Sequence, residues 1–273
     1  MSDSTPHIDE QQYLLHQQYR DASNLNARIE LHQRFGTSVV PWYRWTFDQF
    51  KMPAGARVLE LGCGTGRMWV ENLDRLPHDW QVTLSDFSPG MLEEAQNNLA
   101  GSGHDFIFAV VDAQNIPFTD GYFDCVIANY MLFHVPDRAR TIAEIRRVLS
   151  PEGRFYAATS GGQHMREMWD LVARVRDAGY QRPLPYGNFT LESGGEEIAR
   201  QFAHVEVHHV DAGLKVTEAE PLLAYILSSR AAQSLDEEQQ RRLRALIEQE
   251  LARDGAIHIT RTSGLFEAWG QRT

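Results

Sequence analysis

The stretch Val58-Leu59-Glu60-Leu61-Gly62-Cys63-Gly64-Thr65-Gly66 decides the fold. An apolar run of strand length ends at an acid, three glycines follow at alternate positions, and a helical pattern begins after them. Glycine at such positions supplies positive backbone angles and lets a neighbour approach the main chain closely. The pattern fits either a loop that cradles a nucleotide-type ligand or an ordinary strand-to-helix turn, and it does not discriminate alone. A dinucleotide fingerprint would put its third glycine at position 67, where Arg67 stands. A carboxylate at Glu60 repels a pyrophosphate but suits a ligand bearing an ammonium or hydroxyl groups.

Outward from this loop, short apolar runs alternate with helical patterns, the mark of a parallel sheet built from strand-helix units. Strands are expected at 57–61, 81–85, 106–110, 123–128 and 154–159, and helices at 66–75, 88–99 and 137–149. Ser150-Pro151-Glu152-Gly153 reads as the turn that stops the last of these helices. The second strand ends at Asp86 and the third is followed by Asp112, so three consecutive strands end at carboxylates on the edge where open sheets bind ligands. Asp86 is suited to paired ribose hydroxyls, with helix capping left to Ser88 ahead of Pro89. Asp112, with Ala113 and Gln114, is suited to the exocyclic amine of an adenine.

The flanks read differently. Residues 11–32 and 39–50 are helical, the second carrying Trp42, Tyr43, Trp45, Phe47 and Phe50, which serve either a core or an apolar pocket. Beyond Ser160 come a helix at 165–178, a Pro/Gly loop at 182–188, a strand at 203–210, helices at 218–228 and 236–253, and a closing strand at 264–270. The 273 residues carry a formal net charge of −11, which disfavours the basic surface that nucleic acid needs. Cys63 and Cys125 make no disulfide or metal framework, and a cytoplasmic location is expected. Neither export nor membrane spanning is expected, since no positive region is followed by an apolar core near Met1 and no apolar run reaches membrane-spanning length.

The ordered set 58–66, 84–92, 112–118, 123–135 and 145–155 resembles the class I S-adenosylmethionine-dependent methyltransferases of the small-molecule branch. The resemblance implies an α/β fold: a Rossmann-like, doubly wound, seven-stranded sheet whose last strand is antiparallel. It implies a helical cap at 1–50 and a methyltransferase domain at 51–273 with a helical insertion at about 217–254. It further implies S-adenosylmethionine as cofactor, with Glu60, Gly62, Cys63, Gly64 and Gly66 around its methionine part and Asp86 at the ribose. Phe87 and Met91 would flank the adenine, Asp112 and Ala113 would meet its edge, Ser88 and Gln114 would be further cofactor contacts, and Asn129, Tyr130 and Met131 would lie under the sulfonium side. Tyr19 and Arg28 look like cap contacts, Arg28 as a fork for a carboxylate.

A sulfonium is an activated methyl donor, so the protein is asked mainly to orient an acceptor and, where the acceptor has a proton, to remove it. His134 is the candidate base, with packing as the competing role. His16, His32 and His164 are placed at the mouth, and Trp169, Tyr186 and Tyr225 in the region that would select the acceptor. His204, His208 and His209 show no metal-ligand pattern, and no metal is expected. The expected partner is a small-molecule acceptor methylated on O, N or C; the oligomeric state is open. The alternatives are a protein that binds S-adenosylmethionine without transferring its methyl, and a methyltransferase acting on a macromolecule such as RNA.

Overall fold

In the computed structural model, residues 23–177, 180, 189–229, 232 and 234–272 are described. Tyr19, His16 and Tyr186 lie outside the described residues.

Seven strands form one sheet in the order β3-β2-β1-β4-β5-β7-β6. Strands β1 (Arg57–Leu61), β2 (Gln81–Asp86), β3 (Phe106–Val110), β4 (Phe123–Asn129) and β5 (Leu149–Ser160) pair in parallel. Strand β7 (Ile257–Gln271) runs antiparallel to both β5 and β6 (Phe202–Val216). The expected α/β sheet with an antiparallel last strand is therefore present. The chain winds from β1 out to β3 and then crosses to β4 on the other side of β1. That reversal opens a crevice beyond the carboxyl ends of β1 and β4, the position at which doubly wound sheets bind ligands.

Strands β1, β4 and β5 are apolar on both faces because both faces are covered. Leu59, Leu61, Val126, Ala128, Phe155 and Ala157 pack with Ile142, Ile145 and Val148. Val58, Cys125, Ile127 and Tyr156 pack on the opposite face with Trp69, Ala95 and Leu99. In chain order the helices are α1 (Ser23–Phe35), α2 (Trp42–Asp48), α3 (Arg67–Val70), α4 (Pro89–Leu99), α5 (Arg138–Val148), α6 (Arg166–Val175), α7 (Gly194–Ile198), α8 (Ala219–Leu227) and α9 (Glu237–Asp254). A third cluster joins Leu31 and Phe35 of α1 to Leu222 and Ile226 of α8, Leu243 and Ile247 of α9, and Ile259 of β7.

Three local expectations change. The helix expected at 66–75 is one short helix, α3, followed by a 3₁₀ turn at Leu73–Arg75. The turn at 150–153 lies within β5 as an irregularity: Phe123 pairs with Leu149 and Cys125 with Arg154, so the Pro-Gly residues bulge out between these two pairs. The strands expected at 203–210 and 264–270 are one end of a long antiparallel pair, β6 and β7, in register from Phe202–Gln271 to Val216–Ile257.

Candidate functional site

A cavity of about 590 Å³ opens at the crevice, within the roughly 300–1,000 Å³ usual for small-molecule sites. Its floor is the loop after β1. Gly62, Gly64 and Gly66 all take positive φ, at 66°, 55° and 72°. The protein itself explains two of the glycines. A Cβ on Gly62 would come within 2.8 Å of Met131 Cβ, and one on Gly66 within 3.1 Å of Leu99 Cδ1. Gly66 does not line the cavity; it seats the start of α3 against α4. Gly62, Cys63 and Gly64 do line it.

Asp86 ties this loop to the next. Its Oδ2 accepts the amide of Gly64 at 2.9 Å and its Oδ1 the amide of Ser88 at 2.8 Å. Burial raises its carboxyl above the ordinary aspartate value, against the lowering effect of the amides of Ser88, Gly64 and Phe87. The Ser88 hydroxyl caps α4 by accepting the amide of Met91, and Pro89 occupies the first helical position, as the residue types require. Asp112 accepts the Gln114 amide at 2.9 Å and its side-chain Nε2 at 3.1 Å.

Glu60 is 2% exposed and faces the same cavity. Its Oε2 accepts Trp69 Nε1 at 2.6 Å, and Asn129 Nδ2 donates to Oε1 at 3.4 Å. Burial pushes its pKa up to about 7, although the Trp69 and Asn129 donors pull the other way. At the end of β4, Tyr130 holds a positive φ of 54°, a conformation that non-glycine residues adopt at some energetic cost and that clusters at functional sites. Its amide donates to Ala158 O at 3.0 Å, and its ring lies 5.4 Å from that of Trp42. Asn129 Oδ1 is buried with no hydrogen-bond partner among the described residues.

Of the residues singled out from sequence, Arg28, Glu60, Gly62, Cys63, Gly64, Asp86, Phe87, Ser88, Met91, Asp112, Ala113, Gln114, Asn129, Tyr130, Met131 and His134 line this one cavity. Arg28 also donates from Nε to Ser228 Oγ at 3.0 Å and from Nη2 to Ser228 O at 2.8 Å. His134 is driven down to about 3, first by burial and then by Arg28, so it stands as a neutral ring of low basicity. The aromatic helix divides its work: Trp42 and Tyr43 reach the cavity, while Trp45, Phe47 and Phe50 pack against the core. His32, His164 and Tyr225 line the far side, and Trp169 belongs to the core of α1, α8 and α9. Sequence reasoning missed Arg261 and Ser263, two cavity residues from β7.

Away from this site, Glu206, His208 and Glu267 bring ligand atoms within 4.8 Å of one another. Glu267 is fully buried and already accepts Lys51 Nζ at 2.8 Å and Arg154, with His208 Nε2 at 3.0 Å from its Oε2. The cluster is an ion-pair network across β5, β6 and β7.

The chain is similar to known proteins. The methyltransferase-domain family matches residues 59–157. The ubiquinone/menaquinone biosynthesis C-methyltransferase UbiE of Desulfotalea psychrophila is 40% identical over 113 residues, 41% of this chain and 45% of that protein. The malonyl-[acyl-carrier protein] O-methyltransferase of Geobacter sulfurreducens is 35% identical over 162 residues, 57% of this chain and 59% of that protein. The chain thus spans about half the length of the curated relatives it matches. Among solved structures, phosphoethanolamine N-methyltransferase 2 of Haemonchus contortus, in complex with phosphomonomethylethanolamine and S-adenosylhomocysteine, aligns with a TM-score of 0.60. That alignment covers 97% of this chain and 61% of the other at 19% identity, a likeness of fold.

Proposed function

We propose that this chain, whose residues 59–157 match a methyltransferase-domain family, transfers a methyl group from S-adenosylmethionine to a small-molecule acceptor by in-line displacement. The observation that carries this reading is the convergence of Glu60, Asp86, Asp112 and Asn129, from the ends of four adjacent strands, on one cavity beside the Gly62–Gly64 backbone.

The residues present suit the adenosyl cofactor. Asp86 is pre-positioned by two amides and keeps further lone pairs for ribose hydroxyls. Glu60 presents a buried carboxyl toward a ligand with cationic character, and the unpartnered Asn129 Oδ1 offers an acceptor beside it. When bound, the cofactor supplies a methyl group already activated by the sulfonium. The chain supplies placement. Asp86 and Asp112 hold the nucleoside, the loop after β1 holds the amino acid part, and Tyr130 and Met131 fix the wall at which the acceptor arrives. The far side, with His32, His164 and Tyr225, is the acceptor half of the cavity. His134 remains the candidate for contact with the acceptor proton; its neutral ring serves as a hydrogen-bond acceptor rather than as a strong base.

The test is calorimetric titration with S-adenosylhomocysteine and, separately, with NADH, followed by transfer of labelled methyl from S-adenosylmethionine to metabolite fractions. The proposal expects saturable binding of the first ligand, none of the second, and label in a small molecule. Binding of NADH in place of S-adenosylhomocysteine would overturn it.

A further inference from the structure

We infer that Arg261 is the anchor for an oxyanion, carboxylate or phosphate, carried by the methyl acceptor; this rests on the methyltransferase reading above. Arg261 sits on the inner face of β7, between Ile259 and Ser263, and is only 9% exposed. Its guanidinium lines the cavity and lies over the Trp42 ring, 5.3 Å from the centroid. It forms no ion pair with any carboxylate among the described residues. Four partly buried arginines do otherwise: Arg57 pairs with Asp124, Arg138 with Glu197, Arg147 with Glu144, and Arg154 with Glu267, while Arg146 donates to the carbonyls of Leu149 and Ser150. A guanidinium taken out of water without an anion is costly, and an anion arriving in the cavity beside it would offset that cost.

The surroundings agree in chemistry. Three further polar atoms on this side of the cavity are buried without a hydrogen-bond partner among the described residues: His32 Nδ1, Trp42 Nε1 and Ser263 Oγ. The indole and the hydroxyl are donors, and the imidazole nitrogen is one in the matching tautomer, so together with Arg261 they form a donor-rich wall. His32 and His164 are both held below the ordinary histidine value, first by burial and next by the nearby Arg261 charge.

Position separates this wall from the cofactor half. The acids Glu60, Asp86 and Asp112 stand at the ends of β1, β2 and β3, whereas β7 lies three strand spacings from β1, on the order of 14 Å. A guanidinium fork there grips two oxygens of a carboxylate or phosphate and fixes the acceptor's orientation relative to the methyl donor.

The experiment uses the full chain saturated with S-adenosylhomocysteine and titrates three probes of similar size: benzoate, phenyl phosphate and neutral benzamide. The expected result is that at least one anion binds about tenfold or more tightly than benzamide, and the stronger of the two identifies the acceptor's oxyanion. Arg261→Gln should erase that preference and leave the affinity for S-adenosylhomocysteine unchanged, while Arg261→Lys should keep part of it. Benzamide binding as well as both anions to the unmodified protein overturns the inference without need of a variant. So does an Arg261→Gln protein that loses S-adenosylhomocysteine instead, because Arg261 would then serve the cofactor. If the unmodified protein fails to bind S-adenosylhomocysteine, the methyltransferase reading falls; the same probes titrated without it still show whether Arg261 selects anions.

Discussion

Replacing Glu60 with Gln gives the sharpest reading of the site's electrostatics. The carboxyl is buried, accepts from Trp69 Nε1 and Asn129 Nδ2, and titrates at about 7 instead of its ordinary 4.5. The folded chain therefore keeps a proton that the unfolded chain has already lost, and stability falls as pH rises from the unfolded value toward the folded one. Over the full interval the effect is about 3 kcal/mol, and between about pH 5 and pH 8 it is about 2.5 kcal/mol. Glutamine does not titrate. Its amide also meets two donors where the carboxylate met them with two acceptors, which costs the variant about 1 kcal/mol at every pH. The informative quantity is thus the slope, not the offset. Urea denaturation of both proteins across this range, followed by circular dichroism, should show the wild type losing ground to Glu60→Gln by about 2.5 kcal/mol as pH rises. A difference that stays constant with pH would refute the buried, protonatable carboxyl.

Other expectations follow from single contacts. Asp86→Ala should weaken S-adenosylhomocysteine binding by about 1–3 kcal/mol in calorimetry, since it removes both the ribose acceptor and the tie to Gly64 and Ser88. Gly66→Ala puts a Cβ 3.1 Å from Leu99 Cδ1 at a φ of 72°, and a thermal melt should show a loss of about 1–2 kcal/mol. Glu267→Ala leaves Arg154, His208 and the half-exposed Lys51 without their shared buried carboxylate and, with water screening the freed cations, should cost about 2–3 kcal/mol in a denaturant titration. His134→Ala should lower turnover with cofactor affinity intact, and the wild-type rate should show no inflection from His134 above pH 5 or so, because its pKa near 3 leaves it neutral there. Equal loss of rate and affinity in His134→Ala would assign that ring to packing.

The parallel core was legible because each of its signals is local. A run such as residues 57–61 can be read as a strand without reference to anything distant, and the acid after each strand marks the ligand edge. Ser88 and Pro89 likewise announce the helix start that the structure contains. The glycine loop was only half legible. Its positive angles could be expected, but the side chains that crowd Gly62 and Gly66 come from Met131 and Leu99, far along the chain. The long β6–β7 pair was cut short for a related reason. Arg261 and Ser263 interrupt the apolar alternation of β7, so residues 257–263 do not look like a buried strand, although they are held on the inner face by Leu31, Trp42 and the cavity. Trp42 and Phe47 share one helix and one residue class, and only tertiary packing sends the first to the cavity and the second to the core.

The central claim is that an adenosyl sulfonium binds at the carboxyl ends of β1 to β4, against the Gly62–Gly64 main chain. A crystal structure of the protein with S-adenosylhomocysteine tests it most directly. The account predicts ribose oxygens on Asp86, the adenine edge at Asp112, and the sulfur beside Tyr130 and Met131. Ligand density in any other place, or a cavity filled by the protein's own side chains in the presence of saturating ligand, would contradict it.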